Sequence, residues 1–299
     1  MSVISPHDAA LRGKPPGVDP LFAPLRLGEI HLRHRVVLGP WALRRALPAT
    51  GVPTPGMVAY YAQRATPGGL VVCEPVRVAP GDRDARTPGL FTADQVNHWR
   101  DVTDAIHARE AYAVAHLTHP GVLQPGRLAV LEGVLEDYRT AAENAGDAGF
   151  DAVELDAAPT ALPSSLVAGY ARPAGVDGAA DDGRGLRLLT DVVQALTGVW
   201  PAQRVGVWLR AGRGALPIAE RLASLDIGYL HAWAGAPGAM LALRGVFAGP
   251  LVLVGPVPLP QGGLPALPAG VADAISFGEA FASRPDLVAR MRQGRLDAP

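Results

Sequence analysis

Short runs of β-branched and aliphatic residues recur along the chain, and longer stretches with apolar positions at helical spacing lie between them. The runs are HRVVLG (34–39), GLVVC (69–73), YAVAHL (112–117), DAVEL (151–155), RVGVWL (204–209), GYLHAW (228–233), PLVLV (250–254) and DAISF (273–277). PGMVAYYAQRAT opens with Pro55, a residue suited to the first turn of a helix. ADQVNHWRDVTDAIHARE and LEDYRTAAENAGDAG both place apolar residues at the helical period. Short apolar strands alternating with helices predict an α/β fold with a parallel sheet covered on its outer face. Eight such units predict a single closed (β/α)8 TIM barrel. No linker divides the chain. The expected organisation is a Pro/Gly-rich tail over residues 1–20 and one barrel over residues 21–299.

Barrels of this kind carry their chemistry at the C-terminal ends of the strands. Position alone therefore selects Pro40, Trp41, Glu74, His116, His119, Asp156, Trp208, Arg210, His231, Trp233, Gly255, Gly278 and Glu279. Composition narrows the partners. The formal net charge is −1 and no basic stripe occurs, so nucleic acid and anionic membranes are not expected partners. Cys73 is the single cysteine, which excludes an intramolecular disulfide and a cysteine-based metal site. No segment reads as a signal peptide or a membrane-spanning helix, so a cytoplasmic protein acting on a small molecule is expected.

Asp156 with His116 and His119 is the predicted catalytic group. The third and fourth barrel strands are neighbours, and a carboxylate orienting an imidazole is a common acid–base unit. Trp41, Trp208 and Trp233 are expected to shape an apolar pocket, with Glu74, Arg210 and His231 around the substrate. The histidines and acids are also metal-ligand types. The spacing of His116 and His119 at a strand end is not a ligand pattern, however, and no metal is expected.

Several segments resemble the old yellow enzymes, a family of FMN-dependent ene-reductases. They are LFAPLRLGEIHLRHRVVLGP, GVPTPGMVAYYAQRA, TPGLFTADQVNHWRDVTDAIHA, DYRTAAENAGDAGFDAVEL and GVADAISFGEAFASRPDLVARMRQG. The likeness runs from about residue 20 to the end. It implies a barrel with an N-terminal hairpin, and it is compatible with a homo-oligomer. It also implies positions at which this chain departs. His116 stands where the family has a glutamine on the flavin pyrimidine edge. Asp156 and Pro159 replace the donors to a substrate carbonyl, and Ala161 replaces a proton-donating tyrosine. Trp208 replaces an arginine beside the flavin N1. Gly278–Glu279 replaces a Gly–Arg pair that holds the phosphate. Between the third strand and the next helix, HPGVLQPGRLAVLEGVLEDY implies a reduced capping subdomain.

At ~4 Å and an effective dielectric near 20, swapping a cation for an anion replaces roughly 4 kcal/mol of attraction by similar repulsion. On that ground the expectation is a barrel with an eroded FMN site that needs no cofactor. It would be an isomerase or cyclase of secondary metabolism, using Asp156 and His116 on an apolar small molecule. Two other readings stay open. One is an FMN-dependent NAD(P)H ene-reductase, to whose flavin site Pro40, Gly255 and Gly278 would contribute. The other is a non-catalytic binding or scaffold protein.

Overall fold

The structure, a computed structural model, describes residues 19–81, 85–119, 131–159, 161, 184–234, 238–255 and 266–294. A hairpin comes first, β1 (Leu25–Leu27) and β2 (Ile30–Leu32), paired antiparallel. The barrel strands follow as β3 (Val36–Leu38), β4 (Leu70–Arg77), β5 (Tyr112–Thr118), β6 (Ala152–Ala157), β7 (Val205–Ala211), β8 (Tyr229–Ala234), β9 (Leu251–Val254) and β10 (Ala274–Phe277). All pairs are parallel, and β10 returns to β3 to close the ring. Every apolar run singled out in the sequence overlaps one of these strands, and several strands continue past the run toward the mouth. The helices among the described residues are α1 (Pro55–Arg64), α2 (Ala93–His107), α3 (Leu131–Asp147), α4 (Arg184–Thr197), α5 (Leu216–Ala223), α6 (Ala239–Val246), α7 (Glu279–Ser283) and α8 (Leu287–Arg292). None is long and apolar enough to cross a membrane. The tail expected over 1–20 and the shortened connection after β5 fall almost wholly outside the described residues.

Local chemistry explains the helix starts. Pro55 occupies the first turn of α1, where its missing N–H costs nothing. At α2, Thr92 Oγ1 accepts from Gln95 N (3.3 Å) while Gln95 Oε1 accepts from Thr92 N (3.1 Å), a reciprocal capping box.

The period-2 alternation of each strand divides the core in two. Outward side chains such as Val71, Ala115, Leu155, Val207 and Leu230 pack against the helices. Inward ones, among them Val37, Leu70, Val72, Val114 and Ala152, form a second cluster with Leu27, Ile30 and Leu32 of the hairpin. The hairpin thus closes the barrel at the N-terminal ends of its strands. Gly28 permits this approach. Its φ is +61°, and a Cβ there would lie 1.9 Å from the Gln203 carbonyl oxygen. The inward positions nearer the C-terminal ends include His116, Glu154, Asp156, Arg210 and His231, which places the polar groups at the opposite mouth.

His34 is buried at the entry to β3, with Nε2 2.9 Å from Thr66 Oγ1 and Nδ1 accepting from Val36 N. Burial, with the Arg292 charge adding to it, lowers its pKa to about 4. The folded value lies below the unfolded one, so the unfolded chain takes up the proton first. The stability His34 supports is present above pH 6.5 and is lost as pH falls toward 4, by up to roughly 3 kcal/mol at about 1.4 kcal/mol per unit. Urea unfolding at pH 7 and pH 5 should show this loss, and His34→Gln should flatten it. An unchanged slope in the variant would refute the assignment.

Candidate active site

The inward face of the barrel above the apolar layer carries His116 from β5, Glu154 and Asp156 from β6, Trp208 and Arg210 from β7, and His231 and Trp233 from β8. Glu154 is the centre of this wall. Its side chain is completely buried, with His116 Nδ1 2.7 Å from Oε1 and His231 Nδ1 2.9 Å from Oε2. His116 and Glu154 are direct neighbours in the strand register. His231 lies two strands away and reaches over β7, because β7 presents Gly206 at the level of Glu154. A Cβ on Gly206 would sit 2.3 Å from Tyr229 Cζ, so the missing side chain also makes room for the tyrosine ring.

The electrostatics follow from this geometry. Burial pushes the Glu154 carboxyl up, but the charges and hydrogen bonds of His231 and His116 outweigh it and bring its pKa down to about 2. An ionised carboxylate only accepts, so each histidine donates its Nδ1–H. For His116, burial favours the neutral ring. The hydrogen bond and charge of Glu154, joined by the charge of Asp156, overcome that and raise its pKa. His116 Nε2 stands 3.9 Å from Asp156 Oδ2, an ion-pair contact longer than a hydrogen bond. His231 Nε2 is buried without a hydrogen-bond partner among the described residues.

The structure brings together only part of the group read from the sequence. Asp156 and His116 are adjacent, but the close partner of His116 is Glu154. Sequence reasoning missed Glu154 because it stops short of the strand end. His119 leaves the group. Its Nε2 is 3.1 Å from Asp137 Oδ2 on α3, outside the barrel interior. Glu74 is a buried anchor of the loop after β3. It is 1% exposed, and its Oε2 accepts from Leu43 N and Arg44 N, tying down the loop after β3. His231, equally buried, is an interior residue and not part of an open substrate wall.

The tryptophans separate. Trp208 is partly buried and meets the His116 ring edge-on, 6.4 Å between centroids. Trp233 lies under the Arg210 guanidinium at 4.6 Å. Trp41 lies against Gly278 and lines a cavity of about 520 Å³ between the loop after β3, α1 and α7.

Opposite this wall the rim is bare backbone. Gly39, Gly255 and Gly278 end the contiguous strands β3, β9 and β10. A Cβ at these positions would meet Ser276 Oγ at 2.2 Å, Ile275 Cγ2 at 2.9 Å and Trp41 Cε3 at 3.1 Å, respectively. Ser276 Oγ is itself buried without a hydrogen-bond partner among the described residues.

The family model for the NADH:flavin oxidoreductase / NADH oxidase family matches residues 20–126. 12-Oxophytodienoate reductase 7 of Oryza sativa subsp. japonica is 30% identical over 353 residues, covering 91% of this chain and 88% of that protein. The chain belongs to the NADH:flavin oxidoreductase family. A second member, 12-oxophytodienoate reductase 2 of Arabidopsis thaliana, is 27% identical and covers 94% of this chain and 89% of its own length. Among solved structures, morphinone reductase in complex with tetrahydroNAD superposes with a TM-score of 0.80 at 28% identity, over 92% of this chain and 91% of that one. The old yellow enzyme homologue from Zymomonas mobilis gives 0.80 at 29% identity, over 93% of both.

Membership in this flavin-dependent family overturns the expectation that the chain works without a cofactor. The physical reason lies in where the charges stand. Trp208 is uncharged, but Arg210 projects from the same face of β7 one pleat higher. Glu279 is exposed, where water and salt weaken its field. The residues present fit a flavin nucleotide: a bare glycine arc on one side, the Arg210 guanidinium, the His116 imidazole and two indoles on the other, and buried Ser276 and His231 atoms with no hydrogen-bond partner among the described residues.

Removing the Glu154 charge should be far more damaging than cutting the His119 contact. Glu154→Leu strands two buried imidazole donors and should cost roughly 3–5 kcal/mol in denaturant unfolding. His119→Gln loosens a pair whose acid is partly exposed and should cost about 1 kcal/mol or less. Equal losses would contradict the buried-pair account.

Proposed function

We propose that this chain is an FMN-dependent oxidoreductase that uses a nicotinamide dinucleotide to reduce a carbon–carbon double bond conjugated to a carbonyl group in an apolar small molecule. The observation that carries the reading is the likeness to 12-oxophytodienoate reductase 7 over nine-tenths of the chain. Relatives named for the reduction of 12-oxophytodienoate and morphinone support the reaction class.

When bound, FMN supplies hydride-transfer chemistry that no protein side chain can provide. This chain would hold it through backbone at Gly39–Pro40, Gly255 and Gly278. Arg210 and the His116 imidazolium would balance negative charge from the opposite wall. Trp208, partly buried, would limit water on that side and so strengthen those interactions. Asp156, with 15% of its side chain exposed, is the acid nearest the opening on β6.

Purified protein should be yellow, or take up added FMN to one per chain with quenching of flavin fluorescence. Gly255→Val should weaken uptake at least tenfold, because the new side chain presses on Ile275 and Phe277. A protein that remains colourless in excess FMN would overturn the proposal.

A further inference from the structure

Reduction of a double bond adds one hydride and one proton, and the proton must reach a carbon at the barrel mouth. The tyrosine that resemblance would assign to this task is Ala161 here, which has no proton to give. The interior wall offers something else. Four ionisable groups stand in a row, His231, Glu154, His116 and Asp156, with successive contacts of 2.9, 2.7 and 3.9 Å. Three are sealed from solvent, and Asp156 alone is partly open.

We propose that this row is a proton relay in which His116 is the store, Asp156 the outlet, and Glu154 and His231 the positioning residues. The proposal rests on the reductase reading for its reaction and on the row itself for its geometry. Glu154 takes the Nδ1–H of both histidines, which turns both Nε2 atoms away from it. His116 Nε2 then faces a carboxylate, whereas His231 Nε2 faces no hydrogen-bond partner. An extra proton gains an ion pair on the first and would be left unpaired on the second, so it resides on His116.

In the step itself, the His116 Nε2–H bond breaks and its proton passes to the Asp156 carboxylate, and the Asp156 carboxylic acid so formed then gives its proton to the substrate carbon. The electron pair of that bond stays on the imidazole. His116 ends neutral, its Nδ1–H still on Glu154, and Asp156 ends as the carboxylate it began as. A solvent proton entering at Asp156 restores the imidazolium.

The surroundings of His116 agree with this role. From β6 it faces Glu154 and Asp156. From β8 come His231 and, beneath Glu154, Tyr229, whose hydroxyl burial and the Glu154 charge push well up. Its register partner on β4 is Pro75, and β7 presents the uncharged Trp208. No cation stands among these groups to expel the His116 proton. Burial opposes the charge, and the two carboxylates overcome it.

Nitrogen-15 spectra of the histidine side chains in flavin-free protein test the store directly. His116 should carry protons on both ring nitrogens at pH 7 and titrate above the ordinary histidine range. A neutral His116 at pH 7 overturns the proposal and needs no variant. Glu154→Gln keeps the shape and removes the charge. It should lower the His116 midpoint by at least one pH unit and move the alkaline limb of the alkene-reduction profile by the same amount. His231→Asn, which retains a donor toward Glu154, should move that midpoint by less than half a unit. Protein that takes up no FMN sinks the reductase reading while the histidine spectra still stand to be read. Loaded protein that NADH reduces, but whose alkaline limb ignores the His116 midpoint, sinks the relay alone.

Discussion

A carboxylate sealed inside a closed barrel is the constraint around which the upper half of this molecule is arranged. Moving one such ion out of water costs several kcal/mol even after relaxation, and only well-aligned partners repay it. Glu154 has two, at 2.7 and 2.9 Å. Meeting that requirement sets the tautomer and direction of two imidazoles. It also requires a strand between them without a side chain at that level, the role of Gly206. The lower half needs none of this. There the inward positions are aliphatic and close on the hairpin.

The strands were legible in the sequence because each is a short apolar run that the outward side chains make nearly continuous. The mouth followed from the fold that eight such units imply, and the hairpin from the family resemblance. The wall was legible only in part. DAVEL reads as alternation, with Val153 and Leu155 outward and Ala152, Glu154 and Asp156 inward, so a charged residue in mid-strand was a visible signal. What was not visible is which inward residues share a level. That depends on the stagger between strands, a property of the closed barrel and not of any one strand. His116 and Glu154 lie side by side in the register, while His231 reaches its level only across Gly206. Glu74 and His119 stood at the expected strand ends, yet both spend their polar atoms on scaffolding.

The same distinction explains why substitution counting misjudged the cofactor. Trp208 brings no charge at its own position, but a flavin responds to the field of the whole mouth. Arg210 restores a guanidinium from the same strand face, and its stacking on Trp233 holds it over the barrel. Glu279, by contrast, sits where solvent screens it.

Two carboxylates two residues apart on β6 share one inward face and have opposite duties. Glu154 is buried to the last atom and bonded on both oxygens, so it serves as a fixed counter-charge. Asp156, one pleat nearer the opening, caps the strand end through Ala158 N and keeps partial contact with solvent. The His116 ring spans the step between them, one nitrogen toward each. A one-residue slip of β6 would turn both acids into the apolar helix layer and bring Val153 and Leu155 inside. The arrangement therefore depends on strand register as much as on residue identity, and the outward aliphatic residues that lock the register are part of the active site's construction.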